Sequence, residues 1–177
     1  MRKLSNRELN RKHVDEINLI AKSPFVIVLD NVRSLNNIGS VFRTADAFLA
    51  EAVYLTGICA QPPHREIHKT ALGATETVQW KYFKHVEEAI LELKKQGFKI
   101  ILIEQTDESL ALENFKPSAH HEKYALVFGN EVQGISDEIL SFADYAIEIQ
   151  QFGTKHSINI SVCAGIVIHH FFQLTKK

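Results

Sequence analysis

The chain has 177 residues, with 20 Lys and Arg against 21 Asp and Glu, a formal net charge of −1. Hydrophobic residues make up 45% and charged residues 23%, which excludes wholesale disorder and leaves enough apolar surface for a core without disulfide or metal staples. A balance this close to neutral excludes a basic field over the whole molecule, so any contact with nucleic acid must come from a local patch.

The charge is concentrated at the start. Residues 1–23 set Arg2, Lys3, Arg7, Arg11, Lys12 and Lys22 against Glu8, Asp15 and Glu16, a local net charge of +3 that leaves the remainder near −4. A basic arm ahead of a folded body suits phosphates, and a solvated helical lead-in has the same composition. There is no apolar signal-peptide core, and the longest apolar run, Val162–Ile168, is too short to cross a bilayer. The expectation is a cytoplasmic protein.

Phe25–Leu29 is a continuous β-branched and apolar run, the pattern of a buried and mostly parallel strand. The polar turn 30–36 follows. From Asn36 the period changes to that of a helix, with Ile38, Val41, Phe42, Ala45, Phe48 and Leu49 on one stripe. Further strands are expected at 52–55, 78–83, 98–103, 124–128 and 146–149. A helix striped by Val86, Ala89, Ile90 and Leu93 ends at Gly97, a short helix follows Ser136, and a last one runs over 159–174. Strands alternating with helices imply an α/β fold with a mostly parallel sheet flanked by helices. Residues 107–122 read either as a mobile loop over a site or as a surface connection.

Chemistry-bearing residues gather where strands end. No strand is followed by GxGxxG, and Gly129 and Gly134 are not followed by Gly-Lys-Ser/Thr, which disfavours classical dinucleotide and P-loop binding. A ligand can still sit at the carboxyl ends of the strands, where three polar segments fall: 31–37, 129–134 and 150–159. Asn36, Ser40 and Arg43 share a helix face opposite the apolar stripe and suit a phosphate or ribose, or are simply solvated. In Gly129-Asn-Glu-Val-Gln-Gly134 the glycines suggest a tight turn or a close backbone approach, with Glu131 at its edge. Ser157 and Asn159 either cap the last helix or hold a substrate. Cys59 and Cys163 lack CxxC spacing, and His64 and His68 have no further ligands near them in sequence, so no metal is expected.

Taken together and in order, these segments resemble the SpoU/TrmH family of RNA ribose 2′-O-methyltransferases, in the SPOUT superfamily. The first motif is matched by Asn37-Ile-Gly-Ser-Val-Phe-Arg43-Thr-Ala, preceded by Asn36. The second is matched by Phe128-Gly-Asn-Glu131-Val-Gln-Gly134-Ile, and the third by Ile149 through Ser157-Ile-Asn159-Ile-Ser-Val162. The similarity spans roughly residues 24 to 174, which divides the chain into a basic arm, 1–23, and a methyltransferase domain, 24–177. The third motif departs from the family at Ile149-Gln-Gln, where relatives often have Ile-Pro-Met.

The resemblance implies an α/β knot, with the C-terminal segment threaded through a loop. It implies S-adenosylmethionine held by Gln105, Gly129, Ile149 and Ile158, and a homodimer formed through the last helix. Arg43 would be the central catalytic residue, as general base or as electrostatic stabiliser; a guanidinium is very hard to deprotonate, which favours the second. Asn36, Glu131, Ser157 and Asn159 would orient Arg43 and the ribose. RNA would meet the arm (Arg2, Lys3, Arg7, Arg11, Lys12) together with Arg33, Arg65 and Lys69. The short body, without a large rRNA-anchoring domain, points to tRNA ahead of rRNA. The competing readings are a catalytically silent RNA-binding or ribosome-assembly protein on the same scaffold, and an unrelated nucleotide-binding α/β enzyme.

Overall fold

The computed structural model describes residues 1–5, 8–9, 14–17, 19–119, 122–155 and 157–176. Arg7, Arg11 and Lys12 of the basic arm lie outside the described residues, as do His120, His121 and His156. In chain order the elements are α1 (Val14–Ile17), β1 (Ser23–Asp30), α2 (Leu35–Ala47), β2 (Ala50–Thr56), α3 (Arg65–Ala71), α4 (Ala74–Thr77), β3 (Gln79–Phe83), α5 (Val86–Lys95), β4 (Phe98–Ile103) and β5 (Leu110–Ala111). A 3₁₀ turn (Leu112–Asn114), β6 (Lys123–Phe128), a 3₁₀ helix (Asp137–Phe142), β7 (Tyr145–Glu148) and α6 (Ile160–Thr175) follow.

The strands form one seven-stranded sheet in the order β3-β2-β1-β6-β4-β7-β5. Every pairing is parallel, as expected for buried apolar strands that alternate with helices. Chain order runs outward from β1 through β2 and β3 on one side, while β4 to β7 are interleaved on the other. Open α/β sheets take their ligands at the carboxyl ends of such strands.

Period-two alternation divides the core between the two faces. Phe25, Ile27 and Leu29 of β1 face a cluster with Ile38, Val41 and Phe42 of α2 and Ala164, Val167, Ile168 and Phe171 of α6. Val26 and Val28 face the other side, against Ala89, Ile90 and Leu93 of α5 and Ile139 of the 3₁₀ helix. In α5, Glu87 and Glu88 lie in the first turn and Lys94 and Lys95 in the last, each where the helix dipole favours its charge.

Two stretches differ from the sequence expectation. Residues 65–77, to which the sequence pattern assigns no element, fold as two short helices, and α3 lies so close to α2 that a Cβ on Gly39 would strike the Thr70 hydroxyl and the Ile67 carbonyl. Residues 110–115 are not a loop over the site: β5 pairs with β7, and Leu112 and Phe115 are buried. The Phe115 ring stacks on Phe171 at 5.1 Å and meets Tyr124 edge-on at 5.8 Å, which ties this segment to the core. Within the single chain, α6 leaves Val162 and Ile166, one turn apart, 54% and 42% exposed. No described helix is long and apolar enough to cross a membrane.

Candidate functional site

A cavity of about 580 Å³ opens at the carboxyl ends of β4, β6 and β7, whose last residues Ile103, Phe128 and Glu148 line it. The loops that leave those strands and the start of α6 complete the wall. Gln105, Gly129, Ile149 and Ile158 line this cavity, together with Glu131, Ser157 and Asn159. The structure therefore brings seven of the nine sequence-chosen catalytic and cofactor residues to one place. Asn36 and Arg43 are not in its lining.

The loop after β6 is shaped by hydrogen bonds. Asn130 and Gly134 form a two-residue bridge, with Asn130 N–H donating to the Gly134 carbonyl at 2.8 Å and Gly134 N–H returning a bond at 2.9 Å. The Asn130 side-chain oxygen accepts from the N–H groups of Val132 and Gln133, at 2.8 and 3.1 Å. Gly134 takes a left-handed φ of 73°, which disfavours a side chain there. Across the bridge, a Cβ on Gly129 would fall on Gly134 and the Ile135 nitrogen. The loop thus folds back on itself in a space that only hydrogen can fill.

Two carboxylates pin this loop to the sheet. Glu104 accepts from Ile135 N–H at 3.1 Å and from Gln105 N–H at 2.9 Å. Asp30, at the end of β1, is fully buried and accepts from Ser136 N–H at 2.8 Å and from the Asn31 amide at 2.8 Å. Asn31 has a left-handed φ of 55°; its carbonyl accepts from the Asn130 amide at 2.7 Å and its side-chain oxygen from Ile58 N–H at 3.2 Å. Asp30→Ala would leave the Ser136 N–H without its acceptor and the Asn31 amide with only the Ser136 hydroxyl at 3.4 Å, a loss of about 1–3 kcal/mol on the usual scale of unsatisfied groups. Urea unfolding should show it as a lower midpoint at an unchanged slope.

At the mouth of the cavity, three motifs meet through side chains. The Asn37 amide donates to Glu131 at 3.3 Å, and the Asn159 amide donates to the Asn37 side-chain oxygen at 3.3 Å. The other Glu131 oxygen accepts from Arg33 N–H at 3.4 Å. Asn159 also caps α6, its side-chain oxygen accepting from Ser161 N–H at 2.9 Å. Capping and site-building, read as alternatives in the sequence, are thus combined in one residue. The amide that reaches Glu131 is that of Asn37, one position on from Asn36. Asn36 itself is exposed, and its carbonyl accepts from the Ser40 and Thr70 hydroxyls at 2.8 and 3.0 Å. Ser34 sets this rotation by capping α2, accepting from Asn37 N–H at 3.3 Å.

Arg43 lies six residues beyond Asn37, about 9 Å along the helix axis. It is exposed and has no ion pair or hydrogen bond among the described residues. Of the proposed RNA contacts, Arg33, Arg65 and Lys69 are exposed, and Lys69 pairs with Glu66 at 2.7 Å. In the arm, Lys3 is exposed and Arg2 pairs with Glu8 at 2.6 Å, which holds the Glu8 carboxylate down at about 2. No group of three or more His, Cys, Asp or Glu among the described residues could hold a metal ion.

The cavity carries Glu104, Glu131 and Glu148 and no Lys or Arg in its lining. That field suits a cationic ligand and opposes a phosphate-rich dinucleotide. Its volume falls in the range of cofactor pockets, and the missing Cβ of Gly129 leaves the backbone open to close approach. A sulfonium-bearing nucleoside fits this lining. Cys163 lines the same wall, and burial, followed by the charge of Glu104, pushes its thiol up to about 11. The neutral thiol therefore persists through the physiological range, and thiolate appears only as pH climbs towards that value. Iodoacetamide at pH 8 should alkylate Cys163 far more slowly than an unhindered thiol, with the rate still rising above pH 9, as peptide mass mapping would read.

A model of the "SpoU rRNA Methylase family" matches residues 24–169. The chain is 30% identical over 166 residues to the tRNA (guanosine(18)-2′-O)-methyltransferase of Aquifex aeolicus, covering 92% of this chain and 75% of that protein. It is 32% identical over 161 residues to the 23S rRNA (guanosine-2′-O-)-methyltransferase RlmB of Neisseria meningitidis, covering 90% of this chain and 62% of that protein. The crystal structure of an AdoMet-bound rRNA methyltransferase from Sinorhizobium meliloti superposes with a TM-score of 0.78 at 22% identity, over 89% of this chain and 59% of that one. The α/β architecture is thus shared with that structure, and the chain spans about three-fifths of the length of the last two.

Proposed function

The chain belongs to the SpoU rRNA methylase family, and from that footing we propose that it transfers a methyl group from S-adenosylmethionine to a ribose 2′-hydroxyl of RNA. The observation that carries the reading is the meeting of Asn37, Glu131 and Asn159 at the mouth of a glycine-backed, acid-lined cavity at the carboxyl ends of the sheet. The presence of Arg43, Glu131, Ser157 and Asn159 together favours an enzyme over a silent RNA-binding protein on the same scaffold.

S-adenosylmethionine supplies an electrophilic methyl group on a sulfonium. In this proposal Gln105, Gly129, Ile149 and Ile158 hold it, and the three cavity carboxylates favour its positive centre. Glu131, fixed by Asn37 and by Arg33 N–H, orients the ribose with Asn159 and Ser157. Arg43 takes the adjacent phosphate and stabilises the negative charge that develops on the 2′-oxygen. Gln151 lines the cavity beside Gln150, at the pair where relatives often carry Pro-Met. The knotted C-terminal path is part of the same proposal. So is a homodimer: Val162 and Ile166, with His169 and Gln173 further along, make an exposed stripe at helical spacing on α6.

The substrate class proposed is tRNA. The chain covers 75% of the tRNA-modifying relative against 62% of the rRNA-modifying one. Separate incubation with undermodified tRNA and rRNA pools, followed by nucleoside mass spectrometry, tests this. A 2′-O-methylnucleoside formed only in tRNA is the expected result, and product formed only in rRNA would overturn the preference.

A further inference from the structure

A second cavity, of about 490 Å³, lies apart from the cofactor pocket, between α3, α4 and β3. Pro62, Pro63 and Trp80 give it flat apolar surface, and Arg65, His68 and Glu76 give it polar groups. Arg65 and Glu76 are exposed and do not pair with one another, and Arg65 has no ion-pair partner among the described residues, since neighbouring Glu66 is taken by Lys69 at 2.7 Å. A half-buried indole beside an unpaired guanidinium and an imidazole is the combination on which single-stranded nucleic acid binds, with base on ring and phosphate on cation. The volume is that of a small-ligand pocket.

Its place in the fold links it to the reaction. The helix that supplies Arg65 and His68 crosses α2 at Gly39, and its Thr70 hydroxyl donates to the Asn36 carbonyl at 3.0 Å. Arg43 stands one turn on from Gly39, on the same side of α2. An RNA strand seated on Arg43 therefore passes the flank of α3. None of the lining residues belongs to the three motifs, so the cofactor site does not account for this cavity.

We infer that this cavity receives one unstacked nucleotide of the substrate RNA, other than the nucleotide methylated. Its base lies against Trp80, its phosphate lies at Arg65 and His68, and Glu76 is available to accept from an exocyclic amino group. The inference rests on the methyltransferase reading for its class of partner. It makes the cavity a determinant of which RNA is chosen, separate from the chemistry.

Trp80 is the only tryptophan in the chain, so its fluorescence reports on this cavity directly. The test titrates the full-length protein with a short single-stranded RNA and with adenosine 5′-monophosphate, under tryptophan-selective excitation and without cofactor. RNA binding is followed in parallel by the anisotropy of a labelled strand. Saturable quenching is expected, weakened about tenfold in Arg65→Ala and reduced by added salt. The same variant should raise KM for RNA and leave the affinity for S-adenosylmethionine unchanged. RNA that binds by anisotropy without altering Trp80 emission would overturn the inference, as would quenching that is identical in Arg65→Ala. The outcomes separate the two readings: quenching in a protein that transfers no methyl would keep the nucleotide cavity and remove the enzyme, while methyl transfer without quenching would do the reverse.

Discussion

Arg43→Ala should abolish methyl transfer while the protein folds and binds S-adenosylmethionine as before. The side chain is exposed and makes no hydrogen bond or ion pair among the described residues, so its truncation removes nothing the fold uses. Surface changes of this kind alter stability by no more than about 0.5 kcal/mol. Arg43 is also absent from the cavity lining, so cofactor affinity should stay within about twofold. The rate is another matter. Removing one preorganised group that stabilises developing negative charge typically costs ~10²–10³, and the phosphate contact is lost with it. Arg43→Lys should recover little, because an ammonium lacks the planar fork that holds phosphate in two bonds. Single-turnover methylation and calorimetric titration of the cofactor check both halves. A variant that lost cofactor binding in step with activity would remove the role assigned to Arg43.

Gly129→Ala should do the opposite and strike binding first. The added Cβ would land on Gly134 and on the nitrogen of Ile135, which are backbone and cannot rotate away. Relief requires opening the Asn130–Gly134 bridge, whose two bonds at 2.8 and 2.9 Å hold the loop closed. Overpacking of this kind costs about 1–3 kcal/mol. Because the loop is itself a cavity wall, the displacement falls on the ligand. Cofactor affinity should drop by about tenfold or more, with a lower melting temperature. Gly134→Ala is the comparison. It strains a φ of 73° and meets the flexible Glu104 side chain instead of backbone, so it should cost about 1–2 kcal/mol of stability and less affinity. Wild-type affinity in Gly129→Ala would mean that this loop does not hold the cofactor.

Sequence patterns revealed the sheet more fully than the site. Runs such as Phe25–Leu29 and Phe98–Ile103 announce buried strands because every residue in them except the exposed Lys99 has an apolar surface to cover. By contrast, α3 and α4 are short and polar; α3 is held by packing on α2 at Gly39 and α4 by the Thr77 hydroxyl donating to Asp46, contacts that no local pattern contains. Asp30 reads as part of a surface turn, yet it is fully buried because its partner, Ser136 N–H, comes from 106 residues away. The choice between Asn36 and Asn37 shows the same limit at one-residue scale. A helix-face argument built on Asn36, Ser40 and Arg43 identifies a face on which Asn36 and Arg43 are exposed and Ser40 is half-buried. The amide that reaches Glu131 sits about 100° round the helix from it. Trp80 and the cavity it lines were equally hidden, since their walls come from separate elements.

The most direct test of the central claim is the destination of the methyl group. The protein would be incubated with deuteromethyl S-adenosylmethionine and undermodified RNA, and the nucleosides resolved by mass spectrometry into ribose and base fragments. The deuterated methyl is predicted on the ribose fragment of a single nucleoside, present with the unmutated protein and absent with Arg43→Ala. Label on the base, or no label in RNA that the protein demonstrably binds together with the cofactor, would contradict it.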